Sequence, residues 1–341
     1  MKKKLGFFLL VIIIFAIGIN YYINYYIDIS LRPVNSNDDK KIIVEIPEGS
    51  STNNIAEILL DNKLIQNPKI FKYYAKKTNS DIKLKAGNYI LSRNMSVDEL
   101  LEVLIKGGTT GNTVDITIIE GLTIEKTAQT ISEQLGLNYE LMLDLMNNAD
   151  YFSEDYQFLI DNPEVKSLQG YLMPETYNVY MKSDEETVIR VMLSQFDDFY
   201  KEDIMPLLSN SSLSILDVIN LASIVEKEAV LDEERDVVAA TFLNRLDVNM
   251  KLQSCATVNY ARGEWKERLT NEDISIDSPF NTYIIEGLPP GPINSPGKNS
   301  ILAVLDPADV DYLFFVAKGD GSHYFSNNYE DHLAAKNKYL N

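Results

Sequence analysis

The chain has 341 residues, of which 24% are charged and 45% hydrophobic, and a formal net charge of −19. This composition folds into one or two domains and argues against nucleic acid as a partner, because phosphate binding needs a basic surface. A polar, uncharged polymer such as a glycan stays open. A single cysteine, Cys255, excludes an internal disulfide, and with two histidines, His323 and His332, a Cys/His zinc site is also excluded. No EF-hand or similar carboxylate spacing is present.

Residues Met1 to Lys4 read MKKK, and Leu5 to Ile27 carries no charge. At ~1.5 Å per residue this stretch spans a hydrocarbon core of about 30 Å. Lysines before it and acidic residues after it predict a cytoplasmic N-terminus, and Tyr21, Tyr22, Tyr25 and Tyr26 suit the outer interfacial belt. Bulky Tyr and Ile stand where a cleavage site needs small residues, which favours an uncleaved single-pass anchor over a signal peptide. The expected location is therefore the cytoplasmic membrane, with residues 1–27 as anchor, 28–41 as linker and the remainder outside.

Regular structure is expected from Ile42. Ile42 to Ile46 reads as a strand, Pro47-Glu48-Gly49 as a turn, and Ser51 or Thr52 as the cap of a helix bearing Ile55, Ala56, Ile58 and Leu59. A second helix runs from Pro68, Leu84 to Leu91 forms a strand, and Ser96 caps a helix that Gly107-Gly108 ends. The opening pattern returns 72 residues later: Ile46, Glu48, Gly49, Ala56 and Leu59 match Ile118, Glu120, Gly121, Ala128 and Ile131. This reads either as a duplicated strand–turn–helix unit or as the common opening of any such unit.

Helices follow around Leu141 to Met146 and Val188 to Phe196. Between them Gly170, Tyr171, Pro174, Glu175 and Tyr177 could form the rigid wall of a sugar site, or plain core. From Leu216 to Ala229 the apolar residues Val218, Leu221, Ala222, Val225 and Ala229 mark one face of a helix. At ~100° per residue, Glu226 and Glu228 fall on opposite margins of that face, each about 80° from Val218. They cannot aim at one spot. A carboxylate on such a margin is either solvated or half-buried at a cleft floor, where desolvation raises its pKa. A helix ending at Asn244-Arg245-Leu246 comes next. Met250 to Tyr260 has no long period and reads as an ordered loop or short strand. Ser278 to Pro307 holds six of the twelve prolines and is expected to be extended and non-helical. Tyr312 to Ala317 and Ser322 to Ser326 form a hairpin across Gly319-Asp-Gly321, and a helix from Tyr329 to Asn337 closes the chain.

Several of these stretches together resemble the MltG/YceG-like family of membrane-anchored endolytic murein transglycosylases. They are Ala222-Ser-Ile-Val-Glu226-Lys-Glu228, Phe242-Leu-Asn-Arg245-Leu246, Met250-x-Leu-Gln253-Ser254, Ser278-Pro-x-Asn281-Thr282-Tyr283, Gly287-Leu-Pro-Pro-Gly291-Pro292-Ile293 and Tyr312 to Phe325. The resemblance implies an α+β fold with a transmembrane helix, a LysM-like subdomain over 42–110 and a mixed α/β catalytic domain over 111–341. It implies cleavage within peptidoglycan glycan strands, between N-acetylmuramic acid and N-acetylglucosamine, with Glu226 as the catalytic acid–base group. Gln253, Asn281, Tyr283 and Tyr177 are the candidates for sugar contacts, and Glu228 for a structural pair with Arg235 or Arg245. No cofactor is needed, and the implied partners are glycan strands and peptidoglycan synthases.

The chemistry agrees with one carboxylate. A glycosidase that hydrolyses needs two, about 5–9 Å apart. A lytic transglycosylase uses the muramoyl C6 hydroxyl as internal nucleophile, gains the advantage of proximity, and needs a single acid–base group. Two alternatives remain at this level. One is a hydrolytic muramidase whose second acid is Glu175 or Glu264; the other is an anchored glycan-binding scaffold without catalysis.

Overall fold

A computed structural model describes residues 15, 18–19, 21–47, 49–108, 113–181, 183–209 and 211–340. Residues 21–31 are helical, and Tyr21, Tyr22, Tyr25 and Tyr26 on that helix are exposed. Most of the apolar span expected from Leu5 to Ile27 lies outside the described residues. Among the described residues no helix is long and apolar enough to cross a membrane.

The chain divides into two compact units, Met1–Thr113 and Val114–Asn341. In the first, β1 (Lys41–Ile46) leads to α1 (Thr52–Asp61), α2 (Pro68–Lys77), β2 (Gly87–Ser92) and α3 (Val97–Lys106). β1 and β2 pair antiparallel, with Lys41 opposite Ser92 and Ile46 opposite Gly87. Each helix starts on a side chain that accepts a backbone N–H: Ser51 for α1, Asn67 for α2, and Ser96 in a reciprocal capping box with Glu99 for α3. The apolar faces of these elements close on Leu59, Phe71, Leu91, Leu100 and Leu104, all at most 1% exposed.

The second unit opens with β3 (Thr113–Thr117) and α4 (Ile124–Leu135), whose cap Thr123 stands 72 residues after Ser51. Ile118, Ala128 and Ile131 are buried like their counterparts Ile46, Ala56 and Leu59. The repeated pattern therefore builds the same local unit twice. Then come α5 (Tyr139–Met146), α6 (Gln157–Asp161), β4 (Thr176–Tyr180) and α7 (Glu185–Phe199). β4 pairs with β3, and Thr117 meets Thr176 across the pair at 3.0 Å. Phe158, Tyr171 and Phe196 pack ring against ring behind it, with centroids 4.8 to 5.5 Å apart.

The remaining elements surround one helix. α8 (Ile215–Glu228) packs against α9 (Arg235–Asp247), α10 (Cys255–Arg262) and α11 (Lys298–Leu305), and the chain ends with the antiparallel hairpin β5 (Phe314–Ala317) and β6 (His323–Ser326) and with α12 (Tyr329–Tyr339). The α+β class holds, with three two-stranded sheets among the described residues. Two local expectations are corrected. Cys255–Arg262 is a helix, not a loop or strand: Ser254 caps it, and its successive residues Ala256, Thr257, Val258 and Asn259 are all buried. Burial on every side leaves no amphipathic period to read. Lys298–Leu305 is also helical, because Pro296 and Pro307 flank that segment and none interrupts it.

The proline-rich stretch before α11 is ordered by the buried polar residues of α8. The Asn220 amide donates to the Pro289 carbonyl at 2.6 Å, and the Ser223 hydroxyl accepts from the Ile293 N–H at 3.0 Å. The Asn294 amide donates back to the Ser223 carbonyl at 2.7 Å. Gly170 allows the neighbouring segment to close over this contact, since a Cβ there would lie 2.6 Å from Ile219 and 2.9 Å from Pro292. Replacing Asn294 by Ala removes a buried hydrogen bond between the loop and a helix carbonyl and should cost about 1 kcal/mol of unfolding free energy. Chemical denaturation checks this; a variant within about 0.5 kcal/mol of wild type would show that the clamp does not hold the loop.

Candidate functional site

The first three turns of α8 are buried on nearly every side, from Ile215 to Val225. Only its last turn emerges, and it carries Glu226, Lys227 and Glu228. As the helical spacing requires, the two glutamates diverge, and they meet opposite environments.

Glu226 is enclosed and paired. Its side chain is 6% exposed and lies 3.3 Å from the Arg235 guanidinium. One carboxylate oxygen accepts the Gly297 N–H at 2.9 Å and the Ser300 hydroxyl at 2.7 Å. Arg235 is itself held by Asp232 at 2.6 Å and by Ser300 at 2.6 Å. Glu120, at the turn of the second repeat, joins this group from the far side of Gly297, where a Cβ would come within 2.3 Å of its carboxylate. Burial, and then the charge of Glu226, push the Glu120 carboxyl up. The Glu226 carboxylate thus ties the end of α8 to α9 and to the start of α11.

Glu228 forms no salt bridge among the described residues. Its carboxylate accepts the Ser254 hydroxyl at 2.5 Å, and Ser254 also accepts the Ala256 N–H at 3.2 Å as the cap of α10. Burial pushes the Glu228 carboxyl above its ordinary value; the Ser254 hydrogen bond and the more distant His323 and Arg245 oppose that rise. The pair expected with Arg235 or Arg245 does not form. Arg235 is taken by Glu226, and Arg245 donates to the carbonyls of Leu313 at 2.6 Å and Leu252 at 2.7 Å. His323 faces Glu234, with Nδ1 2.8 Å from its carboxylate.

The residues around Glu228 come from one loop and one turn. Gln253 is exposed and holds a left-handed φ of 51°, sparsely populated for a residue with a Cβ. Its N–H donates to the Thr282 carbonyl at 3.1 Å, and the Ser254 N–H donates to the Thr282 hydroxyl at 3.0 Å. This contact sets Ser254 beneath Glu228. Tyr283 is half-buried, with its hydroxyl 3.3 Å from the sulfur of the exposed Cys255, and burial pushes its phenol up. Tyr283 lies within electrostatic reach of Glu228, and Gln253 directly precedes the Glu228 partner Ser254.

The other two candidates do not reach the site. Tyr177 is 2% exposed and spends its hydroxyl on the Met173 carbonyl at 2.6 Å. Asn281 is fully buried; its amide donates to the carbonyls of Ile274 at 3.0 Å and Ile276 at 2.8 Å. Both are core groups that satisfy backbone. Glu175 faces Lys298 at 3.7 Å. A cleft of about 710 Å³ adjoins the site, bounded by Lys227, Ala256, Tyr260, Glu264, Trp265 and Phe280. Trp265, the chain's one tryptophan, is 65% exposed there. Its signal in the sequence was a lone aromatic within the charged run Glu264-Trp265-Lys266-Glu267-Arg268. Among the described residues no His, Cys, Asp and Glu cluster could hold a metal ion.

The raised Glu228 carboxyl has a consequence for stability. When the folded pKa exceeds the unfolded one, the stability is fully present below the ordinary value of 4.5 and is lost as pH rises toward the folded pKa. Glu228→Gln keeps the neutral shape at every pH. The variant should melt above wild type at pH 7 and together with it at pH 4, in thermal scans across that range. A wild type that melts higher at pH 7 would contradict the desolvated carboxyl.

The YceG-like family matches residues 44–338. Over 91% of this chain and 88% of its own length, the endolytic murein transglycosylase of Bacillus subtilis strain 168 is 33% identical. The endolytic murein transglycosylase of Streptococcus pneumoniae D39 is 34% identical over 95% of this chain, which spans 63% of that protein. A crystal structure of a yceG-like protein from Listeria monocytogenes superposes with a TM-score of 0.59 at 36% identity, covering 87% of this chain and 99% of that one. The chain belongs to the YceG-like family.

Proposed function

We propose that this chain is an endolytic peptidoglycan lytic transglycosylase in which Glu228, rather than Glu226, is the acid–base residue. The observation that carries the assignment is the contrast between the two carboxylates. Glu226 is held in place by a guanidinium, an N–H and a hydroxyl, which occupy its carboxylate and leave it no room to meet a substrate oxygen. Among the described residues Glu228 has no cationic partner at contact distance, and burial pushes its carboxyl up. A general acid working near neutral pH needs such a carboxyl.

In the proposed reaction, protonated Glu228 delivers its proton to the oxygen between N-acetylmuramic acid and N-acetylglucosamine. The muramoyl C6 hydroxyl attacks C1 as that bond breaks, and ionised Glu228 takes the hydroxyl proton. The products are a free N-acetylglucosamine end and a 1,6-anhydromuramoyl end, with no water consumed. Ser254 holds the carboxyl in place through both transfers, and Tyr283 and Gln253 border the reacting sugars.

The activity for which the relatives are named supports the substrate class. The β–α–α–β order of the first unit, with its antiparallel pair, supports the LysM-like reading of residues 42–110. The charge pattern of residues 1–27 supports a single membrane-spanning anchor with a cytoplasmic N-terminus. Cleavage would then take place close to the bilayer, on strands leaving the peptidoglycan synthases, and would end their elongation.

Incubation of the folded full chain with uncrosslinked glycan strands, followed by mass spectrometry, tests this reading. Wild type should release anhydromuramoyl ends. Glu228→Gln should lower the rate by about 10²–10⁴-fold, while Glu226→Gln, at a temperature where it stays folded, should keep most of it. Folded Glu226→Gln without activity beside an active Glu228→Gln would reverse the assignment. Reducing ends from wild type would make the enzyme a hydrolase.

A further inference from the structure

Lys227 lies between the two glutamates in sequence and, among the described residues, forms a salt bridge with neither. It lines the cleft that adjoins the end of α8, and its ammonium stands 5.7 Å from the centre of the exposed Trp265 ring. Gly121 makes this placement available, because a Cβ at that position would lie 2.5 Å from the Lys227 Nζ. The turn of the second repeat is thus hollowed out around a lysine, while its counterpart Gly49 faces open space. Lys126 lines the same cleft. Burial first, and then the charge of Lys126, push the Lys227 ammonium down, against the opposing charge of Glu226. An anion in the cleft would relieve both effects.

The acidic residues of the cleft limit what that anion is. Glu264 pairs with Arg262, and Glu120 abuts Gly297. Glu125 remains on the wall, and the whole chain carries a net charge of −19. A polyanion would be repelled. A largely neutral body with one carboxylate near Lys227 fits, and the broad face of Trp265 suits the hydrogen-bearing face of a sugar ring. Tyr260 and Phe280, packed with centroids 4.8 Å apart, form the apolar floor.

We propose that this cleft is a muramoyl subsite flanking the cleaved bond, where the sugar lies on Trp265 and the carboxylate of its lactyl or peptide substituent is bound by Lys227. The inference rests on the glycan reading above for its substrate class, but not on which glutamate reacts. Trp265 is exposed and Lys227 stands at the surface with its ammonium turned into the cleft, so their replacement should leave folding intact, and a melting curve controls for that.

The test measures binding by the full chain carrying whichever folded glutamate variant, Glu228→Gln or Glu226→Gln, does not cleave the probes. The probes are uncrosslinked muramoyl strands and chito-oligosaccharides of equal length, which lack the carboxylate. Adding Trp265→Ala should weaken both about tenfold, and Lys227→Gln should weaken the muramoyl strands about tenfold and leave the chito-oligosaccharides unchanged. A Lys227→Gln protein that binds muramoyl strands as tightly as its parent, or that loses both probes equally, overturns the carboxylate contact. Undiminished binding by Trp265→Ala overturns the stacking contact. Cleavage by wild type with both binding results negative leaves the enzyme standing and removes the subsite; the reverse pattern leaves the subsite and removes the enzyme.

Discussion

The arrangement depends on the pairing of Glu226 with Arg235. A carboxylate with 6% exposure needs its charge met, and here a guanidinium, a hydroxyl and an N–H meet it from two separate elements. Once that pair forms, the end of α8, the start of α9 and the entry to α11 are fixed together. The helical rotation then turns Glu228 toward Ser254, two residues further on and on the opposite margin. One carboxylate is held so that the other can be aimed. Removing Arg235 would leave the Glu226 charge in the interior without its cation, which is far costlier than the pair itself is stabilising, whereas Arg235 without Glu226 keeps Asp232.

The proline-rich segment has a related role. It is often tempting to read such a stretch as a mobile binding loop, but in this chain Asn220, Ser223 and Asn294 bind its backbone into the core. Its rigidity reaches the site through Gly297, whose N–H is one of the donors to Glu226. The same segment hydrogen-bonds to the turn of the second repeat, through Ser295 with the Leu122 carbonyl at 2.8 Å and the Gly121 N–H at 2.9 Å. That contact brings Gly121 against Lys227 and so shapes the adjoining cleft. The two copies of the repeat share a local fold and a cap, yet the second has been built into the site.

Much of this was legible in the amino-acid order. The period of α8, the divergence of Glu226 and Glu228, the caps at Ser51 and Ser96 and the closing hairpin all follow from local spacing. The proposed choice between the two glutamates did not, because it rests on Arg235, Gly297, Ser300 and Ser254, which are brought together only by tertiary packing. Tyr177 and Asn281 misled for the same reason. A tyrosine or asparagine near a motif satisfies buried backbone as readily as it meets a sugar, and the sequence does not distinguish the two. The α10 helix was hidden because its apolar and polar residues are buried alike. Trp265 carried the clearest unused signal, a single large aromatic in a run of charges.

The proposed chemistry turns on Glu228 holding its proton more tightly than an ordinary carboxyl while its neighbour two residues away is fixed by a charge pair. The most direct measurement is a carbon-13 NMR titration of the glutamate side chains, with the Glu228 resonance assigned by its loss in Glu228→Gln. The account predicts a midpoint for Glu228 above its ordinary value of 4.5. A midpoint at or below 4.5 would contradict it and would return the acid–base role to another carboxylate.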